Sequence, residues 1–306
     1  VRGGRLAGVV ALLVVTAVWG STFPLAKDLL TRLPALDVLA VRSTLSAALL
    51  LALRPGALRG LDARTCRAGA LLGVTYGAGL TAQSHGLVEL PAAVSGFVTG
   101  SYVVMTPLLG VLWLRTPVAA RTWAATALAA TGLVVLALPG RWSGPVPATG
   151  LTLTVAAAAL YAVHVVMLGR VSRPGEAYAL TTVQAGAMGA ALAVAALPGG
   201  LVLPGTGADW AAVGHLAVLA GAVSSLAQTW AQARVPAATA AVVMSVEPVW
   251  ATVFAVLVYG EAAGWPLLVG GGCVLAATVL VTVPSGSRPA RDRPVRDRVV
   301  WESPGP

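Results

Sequence analysis

Charge is scarce in this chain. Of 306 residues, 10% are charged, against about 25% in an ordinary soluble domain, and lysine occurs once, as Lys27. That shortage excludes a water-soluble globule. Cysteine is rarer still: Cys66 and Cys273 stand far apart without ligand-type spacing, so neither a disulfide framework nor a metal site is expected. The histidines His85, His164 and His215 are equally scattered. No H-E-x-x-H, no G-x-S-x-G and no clustered Asp pair occurs within the apolar runs, which argues against a membrane-embedded hydrolase or transferase. A Walker A pattern is absent too, which argues against ATP-driven pumping by this chain. No enzyme activity, no cofactor and no metal is expected.

Apolar length is what the sequence has instead. It is 57% hydrophobic, with mean hydropathy +0.84. Stretches of about 20 apolar residues can cross a bilayer, and ten are expected, near 7–26, 35–53, 68–87, 92–114, 121–139, 148–168, 178–197, 210–230, 237–259 and 264–283. The first resembles a signal peptide, with Arg2 and Arg5 before an apolar run. It continues through Trp19, Phe23 and Pro24 without a small-residue cleavage pattern and reads as a retained span. The segment 285–306, rich in Arg, Pro and Asp, reads as a basic, disordered cytoplasmic tail.

The net charge of +9 raises the question of nucleic acid. The positions of the charges answer it. With the N-terminus inside, 16 of the 20 Lys and Arg fall in inside segments and only Lys27, Arg32, Arg42 and Arg141 remain outside or within spans. This is the positive-inside pattern of a membrane protein. It predicts the cytoplasmic membrane, with both termini cytoplasmic. The expected partners are a small-molecule substrate, membrane lipids and protons, not nucleic acid, with a homodimer left open.

The chain also resembles itself. Gly8 precedes Trp19 by 11 residues, as Gly150 precedes Tyr161; LPAAVSGFVTG from Leu90 is similar to VPAATAAVVMS from Val235. WLRTP ending at Pro117 stands where VYGEA ends at Ala262, and the offset stays at 142–145 residues. Two halves, 7–139 and 148–283, then hold five spans each. An odd number inverts the second half relative to the first, an arrangement common in secondary transporters. The charges agree: Arg115 and Arg121 flank the fourth connection, while the ninth carries only Glu261.

WGSTFPLAK at 19–27, SVEPVWATVFAVLVYGE at 245–261 and the duplicated five-span unit resemble the EamA-type branch of the drug/metabolite transporter superfamily, over residues 7–283. The resemblance implies an all-α integral membrane protein of ten transmembrane helices in two inverted five-helix repeats. It also implies movement of small metabolites such as amino acids, their derivatives, nucleobases or toxic compounds, with export common among members.

Glu247 is the centre of the functional reading. A carboxylate at membrane depth costs about 2.5–3.5 kcal/mol on insertion scales and marks a functional position by default. Pro248 beside it removes a backbone donor, and Pro24 and Pro107 are further candidate helix breaks. Helical spacing gathers the other candidates. Trp19, Phe23 and Lys27 stack along the first span, and Tyr76 and Gln83 share a face of the third. Ser95, Thr99, Tyr102 and Thr106 form a polar stripe on the fourth. The offset of 145 carries Tyr102 onto Glu247, with Trp250 one turn further on. Tyr161 and His164 lie one turn apart on the sixth span; Gln184 and Gln228 can both donate and accept hydrogen bonds. These are the expected cavity residues, with Glu247 and His164 as coupling candidates. For each polar group the competing reading is interhelical bonding without a ligand. Arg42, with Ser46 one turn on, is deep enough in its span to want an acidic or carbonyl partner or the anionic part of a ligand; a structural role holding the helix end is the favoured reading. Gly69, Gly73 and Gly77 form a small-residue helix contact. Trp123, Trp142, Trp210 and Trp265 are expected as interface anchors, and His85 and Glu89 as solvated groups. The function expected is secondary transport by alternating access, coupled to protons and directed outward. The alternative is a non-transporting sensor or a lipid- or drug-flipping subunit of the same fold.

Overall fold

The computed structural model describes residues 2–136, 147–259 and 264–283, and every regular element among them is helical. The tail 285–306, Arg141, Trp142 and Glu261 lie outside the described residues. The first elements are α1 (Arg2–Leu29), α2 (Ala35–Leu53) and α3 (Ala63–Glu89), then α4 (Ala92–Gly100), α5 (Tyr102–Leu112) and α6 (Ala120–Leu136). After them come α7 (Ala148–Val171), α8 (Ala177–Ala196), α9 (Gly207–His215), α10 (Ser224–Gln232), α11 (Ala237–Met244), α12 (Glu247–Tyr259) and α13 (Trp265–Thr282).

Helix starts follow local chemistry. Pro34, Pro91, Pro147 and Pro236 immediately precede α2, α4, α7 and α11, where a missing N–H leaves no bond unmade. Asp62 caps α3 by accepting from the Thr65 backbone N–H at 3.0 Å. Its hydrogen bonds with Thr65 hold the Asp62 carboxyl below the usual carboxylate range.

Among the described residues, eight stretches are long and apolar enough to cross a membrane. α6 is apolar but has only 17 residues. α3 is long enough, but Gly, Thr, Gln, Ser and His dilute its apolar character. The outer surface confirms the solvent: Leu53, Leu112, Leu257 and Leu268 are at least 70% exposed, while Ser43, Ser95, Thr99, Thr181 and Gln228 are buried. That is the reverse of a water-soluble protein.

Three spans are irregular. α4 gives way to α5 at Ser101, where the Ser101 N–H bonds to the Val98 carbonyl at 3.1 Å. α11 gives way to α12 through Ser245 and Val246, with Val246 N–H on the Val243 carbonyl at 3.3 Å. Both are tightened 3₁₀-type turns. α9 runs into α10 through a π-helical stretch, Leu216–Val223.

The proline expectation needs correction here. α1 runs through Pro24 and α5 through Pro107 as continuous helix. Each removes one backbone bond, but packing on both sides holds the helix. The first-half break lies at Ser101, six residues before Pro107. Pro248 occupies the second position of α12, where proline fits a helix start.

Small residues set the crossings. A Cβ at Gly69 would meet Val183 at 2.7 Å, one at Gly73 would press on the Gln184 backbone carbonyl, and one at Gly77 would meet Met188 at 3.1 Å. The glycine face of α3 is therefore its contact with α8. α3 also packs along α7, and α2 along α8. α6 and α13 pair through Gly132 and Gly270; a Cβ on either would lie 2.6–2.7 Å from the other's carbonyl oxygen. α1 packs on α10, α11 and α12 and closes the bundle.

Side-chain contacts fix which ends lie together. Arg5 bonds the Val281 carbonyl, Arg54 lies over the Tyr178 ring, and Arg234 approaches Gly4. The start of α1 and the ends of α2, α10 and α13 thus share one face, rich in arginine. At the other face Arg32 bridges Asp28 at 2.7 Å and Asp209 at 2.8 Å.

Candidate functional site

A cavity of about 780 Å³, counting its open mouth, lies between these helices. Its floor is at mid-bundle, and its walls rise along α1 to Ala26 and along α3 to Leu87, so it opens toward the face that carries Arg32. Glu247, the first residue of α12, stands at the floor. The helix break puts it there: the turn through Ser245 and Val246 re-aims the chain, and the carboxylate turns inward instead of toward lipid. No described residue donates a hydrogen bond to it.

The walls are built from helical spacing. From α1, Trp19 and Phe23 face the cavity, and the Trp19 indole N–H donates to the Ala220 carbonyl at 3.2 Å. That carbonyl lies in the π-helical stretch, where the wider ladder leaves acceptors for side chains. The Ala217 carbonyl is used in the same way, by the Ser46 hydroxyl at 2.7 Å. Tyr76 and Gln83 of α3 face in together, seven residues apart, or about two turns. Tyr161 and His164 come from α7, Thr99 from α4, Tyr102 from α5 and Gln228 from α10.

Hydrogen bonds lock part of this wall. The Tyr161 hydroxyl donates to Gln83 Oε1 at 2.8 Å, and Gln83 Nε2 donates to Thr99 Oγ1 at 3.0 Å. Three helices are tied by this chain. Tyr76 stacks on His164 with centroids 4.9 Å apart and lies 5.6 Å from the Tyr161 ring. His164 Nε2 is 3.0 Å from Gln184 Oε1. Gln184 lines a smaller side pocket that shares Tyr76, His164 and Gln228 with the main cavity. Below, Gln228 Nε2 donates to Gln232 Oε1 at 3.1 Å, and Gln232 Nε2 to the Val165 carbonyl at 2.9 Å. This amide pair ties α10 to α7 below the cavity.

Two expectations shift. Trp250 is not at the cavity: three residues beyond Glu247 it has turned about 60° away. It sits where a Cβ on Gly20 would touch its own Cβ, and its ring lies 6.2 Å from Phe254. Lys27, expected to stack with Trp19 and Phe23, turns away from the cavity they line; its ammonium donates to the carbonyls of Leu87, Val88 and Leu90 and caps the end of α3. Of the polar stripe, Thr99 and Tyr102 reach the cavity. Thr106 bonds back to the Tyr102 carbonyl, and the buried Ser95 hydroxyl meets no described partner.

Arg42, whose depth in its span the sequence already marked as costly, is 8% exposed, lines the cavity, and has its Nε buried without a partner among the described residues. Among the described residues no group of three or more His, Cys, Asp or Glu could hold a metal. The arrangement offers one cation, one carboxylate, tyrosines and amides around a space open at one side. It can bind and release a small solute.

The chain is similar to an uncharacterized transporter of Archaeoglobus fulgidus, 26% identical over 284 residues, which cover 91% of this chain and 87% of the relative. A solved crystal structure superposes with a TM-score of 0.72 over 90% of this chain and 96% of that one. At 20% identity it establishes a shared fold. The model of the EamA-like transporter family matches twice, over residues 6–138 and 148–283. With both matches spanning most of its length, this multi-pass membrane protein belongs to the EamA-like transporter family.

Proposed function

We propose that this membrane transporter is a secondary exporter of small polar or amphipathic metabolites, amino acids and related solutes among them. It works by alternating access. The observation that carries the reading is the Glu247 carboxylate at the floor of a one-sided cavity, without a hydrogen-bond donor from any described residue. Such a group is free to take a proton or a cationic ligand group, then release it when the cavity opens elsewhere.

The two-state element is the pair of halves, 7–139 and 148–283, read as inverted five-helix repeats. Several features support this. The family model matches each half once. Counting each broken or π-containing helix as one segment gives five segments in each half. Pro91 and Pro236 start α4 and α11 with nearly the same backbone angles, φ −57 and ψ 144 against φ −56 and ψ 143. α2 packs on α8 and α6 on α13, the pairing that a two-fold axis between halves produces. Rocking about that axis would close the face that carries Arg32 and open the arginine-rich side. By its arginines this face is the cytoplasmic one, in the cytoplasmic membrane, with both termini on it.

The test is flux. The full chain is reconstituted in proteoliposomes, and a panel of radiolabelled amino acids and nucleobases is followed with and without an imposed pH gradient. Uptake or counterflow of at least one solute, stimulated by the gradient, is the expected result. No flux of any solute would favour a sensor.

A further inference from the structure

The cavity holds two ionisable side chains, one basic and one acidic, that do not meet. Arg42 enters from α2 and Glu247 from α12. Among the described residues no carboxylate oxygen lies within 4.0 Å of the Arg42 guanidinium, and its Nε bonds to nothing. Tyr76 and Tyr161 line the same cavity as both. Either group is costly to hold ionised without a partner, and one occupant could relieve both. A neutral solute relieves neither and a singly charged solute relieves one. A dipolar ion relieves both.

We infer that Arg42 is the residue that receives a carboxylate of the transported solute, and that the solute is a dipolar ion whose cationic group is held at Glu247. The guanidinium suits that role, because its fork matches both oxygens of a carboxylate. Ser46 fixes the helix behind it, its hydroxyl bonding the Arg42 carbonyl at 2.8 Å and the Ala217 carbonyl at 2.7 Å. The charge is thus set on a rigid crossing of α2 with the π-helical stretch. The Tyr76 and Tyr161 rings line the same cavity and offer faces for the solute's apolar body. The inference rests on the transporter reading of the same cavity and adds the charge type of the cargo.

The test uses the purified full chain in lipid nanodiscs and three probe sets on shared carbon skeletons. These are leucine, glutamine and tyrosine; their carboxamides, which lack the anion; and their deamino acids, which lack the cation. Binding is read by calorimetry and by the ligand-induced shift in Tm. At least one dipolar probe is expected to bind about tenfold or more tightly than both of its truncated forms, since each loses a charge-assisted hydrogen bond. Arg42→Gln is expected to bring the dipolar probe and its carboxamide within about twofold, because the group that told them apart is gone. Glu247→Gln should do the same for the dipolar probe and its deamino acid. If Arg42→Gln does not fold, Arg42→Lys serves: a point charge without the fork should narrow the preference. The inference is overturned if no dipolar probe outbinds its truncated forms, or if selectivity survives in the Arg42 variant that folds. Flux of a neutral or singly charged solute, with no dipolar binding, would leave the transporter reading standing and remove this one. Dipolar binding without flux would do the reverse.

Discussion

Tyr102 and Glu247 hold the same place in two broken helices: each is the first residue after the break, and each faces the one cavity. The Tyr102 hydroxyl is buried without a partner among the described residues. One break thus delivers a neutral hydroxyl and the other a carboxylate, so the two halves contribute unequally to a shared floor.

Replacing Glu247 by Gln keeps the shape and removes the ionisable group. Flux in proteoliposomes is expected to fall about tenfold or more and to lose its response to a pH gradient, as for an intramembrane carboxylate in a coupling role. Tm should be kept or should rise, because a buried charge is costly. Unchanged gradient-driven flux would end the coupling role of this residue.

Tyr161→Phe removes the first donor in the chain from Tyr161 through Gln83 to Thr99. Gln83 Oε1 then loses its partner inside the bundle. The cost expected is about 1–3 kcal/mol, read as a lower Tm in detergent. Tyr76→Phe, at a ring held by stacking on His164, should cost less.

Gly73→Ala and Gly186→Ala are expected to move stability in opposite directions. A Cβ at residue 73 would collide with the Gln184 backbone carbonyl and force α3 from α8, whereas nothing lies within 4 Å of one at residue 186. The first should destabilise by about 1–3 kcal/mol. The second should stabilise by about 0.5–1 kcal/mol, because alanine suits a helix interior better. Paired thermal melts settle both.

Lys27→Met leaves the carbonyls of Leu87, Val88 and Leu90 without their cation. A loss of about 1.5–3 kcal/mol is expected, the range for bonds to a charged group. Hydrogen exchange should rise first around the turn between α3 and α4.

Cys66 is exposed at the start of α3, between Arg64 and Arg67. With Cys273 replaced by Ala, a membrane-impermeant maleimide should label Cys66 in inside-out vesicles and spare it in intact cells. Labelling of intact cells would invert the orientation.

Much of this was legible in the sequence because membrane helices carry their polar residues for a reason. Seven-residue spacing put Tyr76 and Gln83 on one face, and the 145-residue offset led from Tyr102 to Glu247; the structure sets all four on the cavity wall. The glycines of α3 were readable too, since only a close crossing favours three at four-residue intervals. Backbone irregularity was not readable. Ser101 looks like any helical serine, and a search for prolines pointed to Pro107 instead. Arg42 was legible as a deep and costly residue, but the sequence left a helix-end role and a ligand-facing one side by side; whether a partner reaches the guanidinium is a tertiary property, and none among the described residues reaches its Nε.

The π-helical stretch Leu216–Val223 takes up more residues per turn than an α-helix, so its surplus is absorbed locally and the segments on either side keep their facing. What the surplus supplies is backbone: the Ala217 and Ala220 carbonyls accept from Ser46 and Trp19, residues of two other helices. A stretch of wide winding thus serves as a socket into which α1 and α2 plug, while Gln228 further along still faces the chamber.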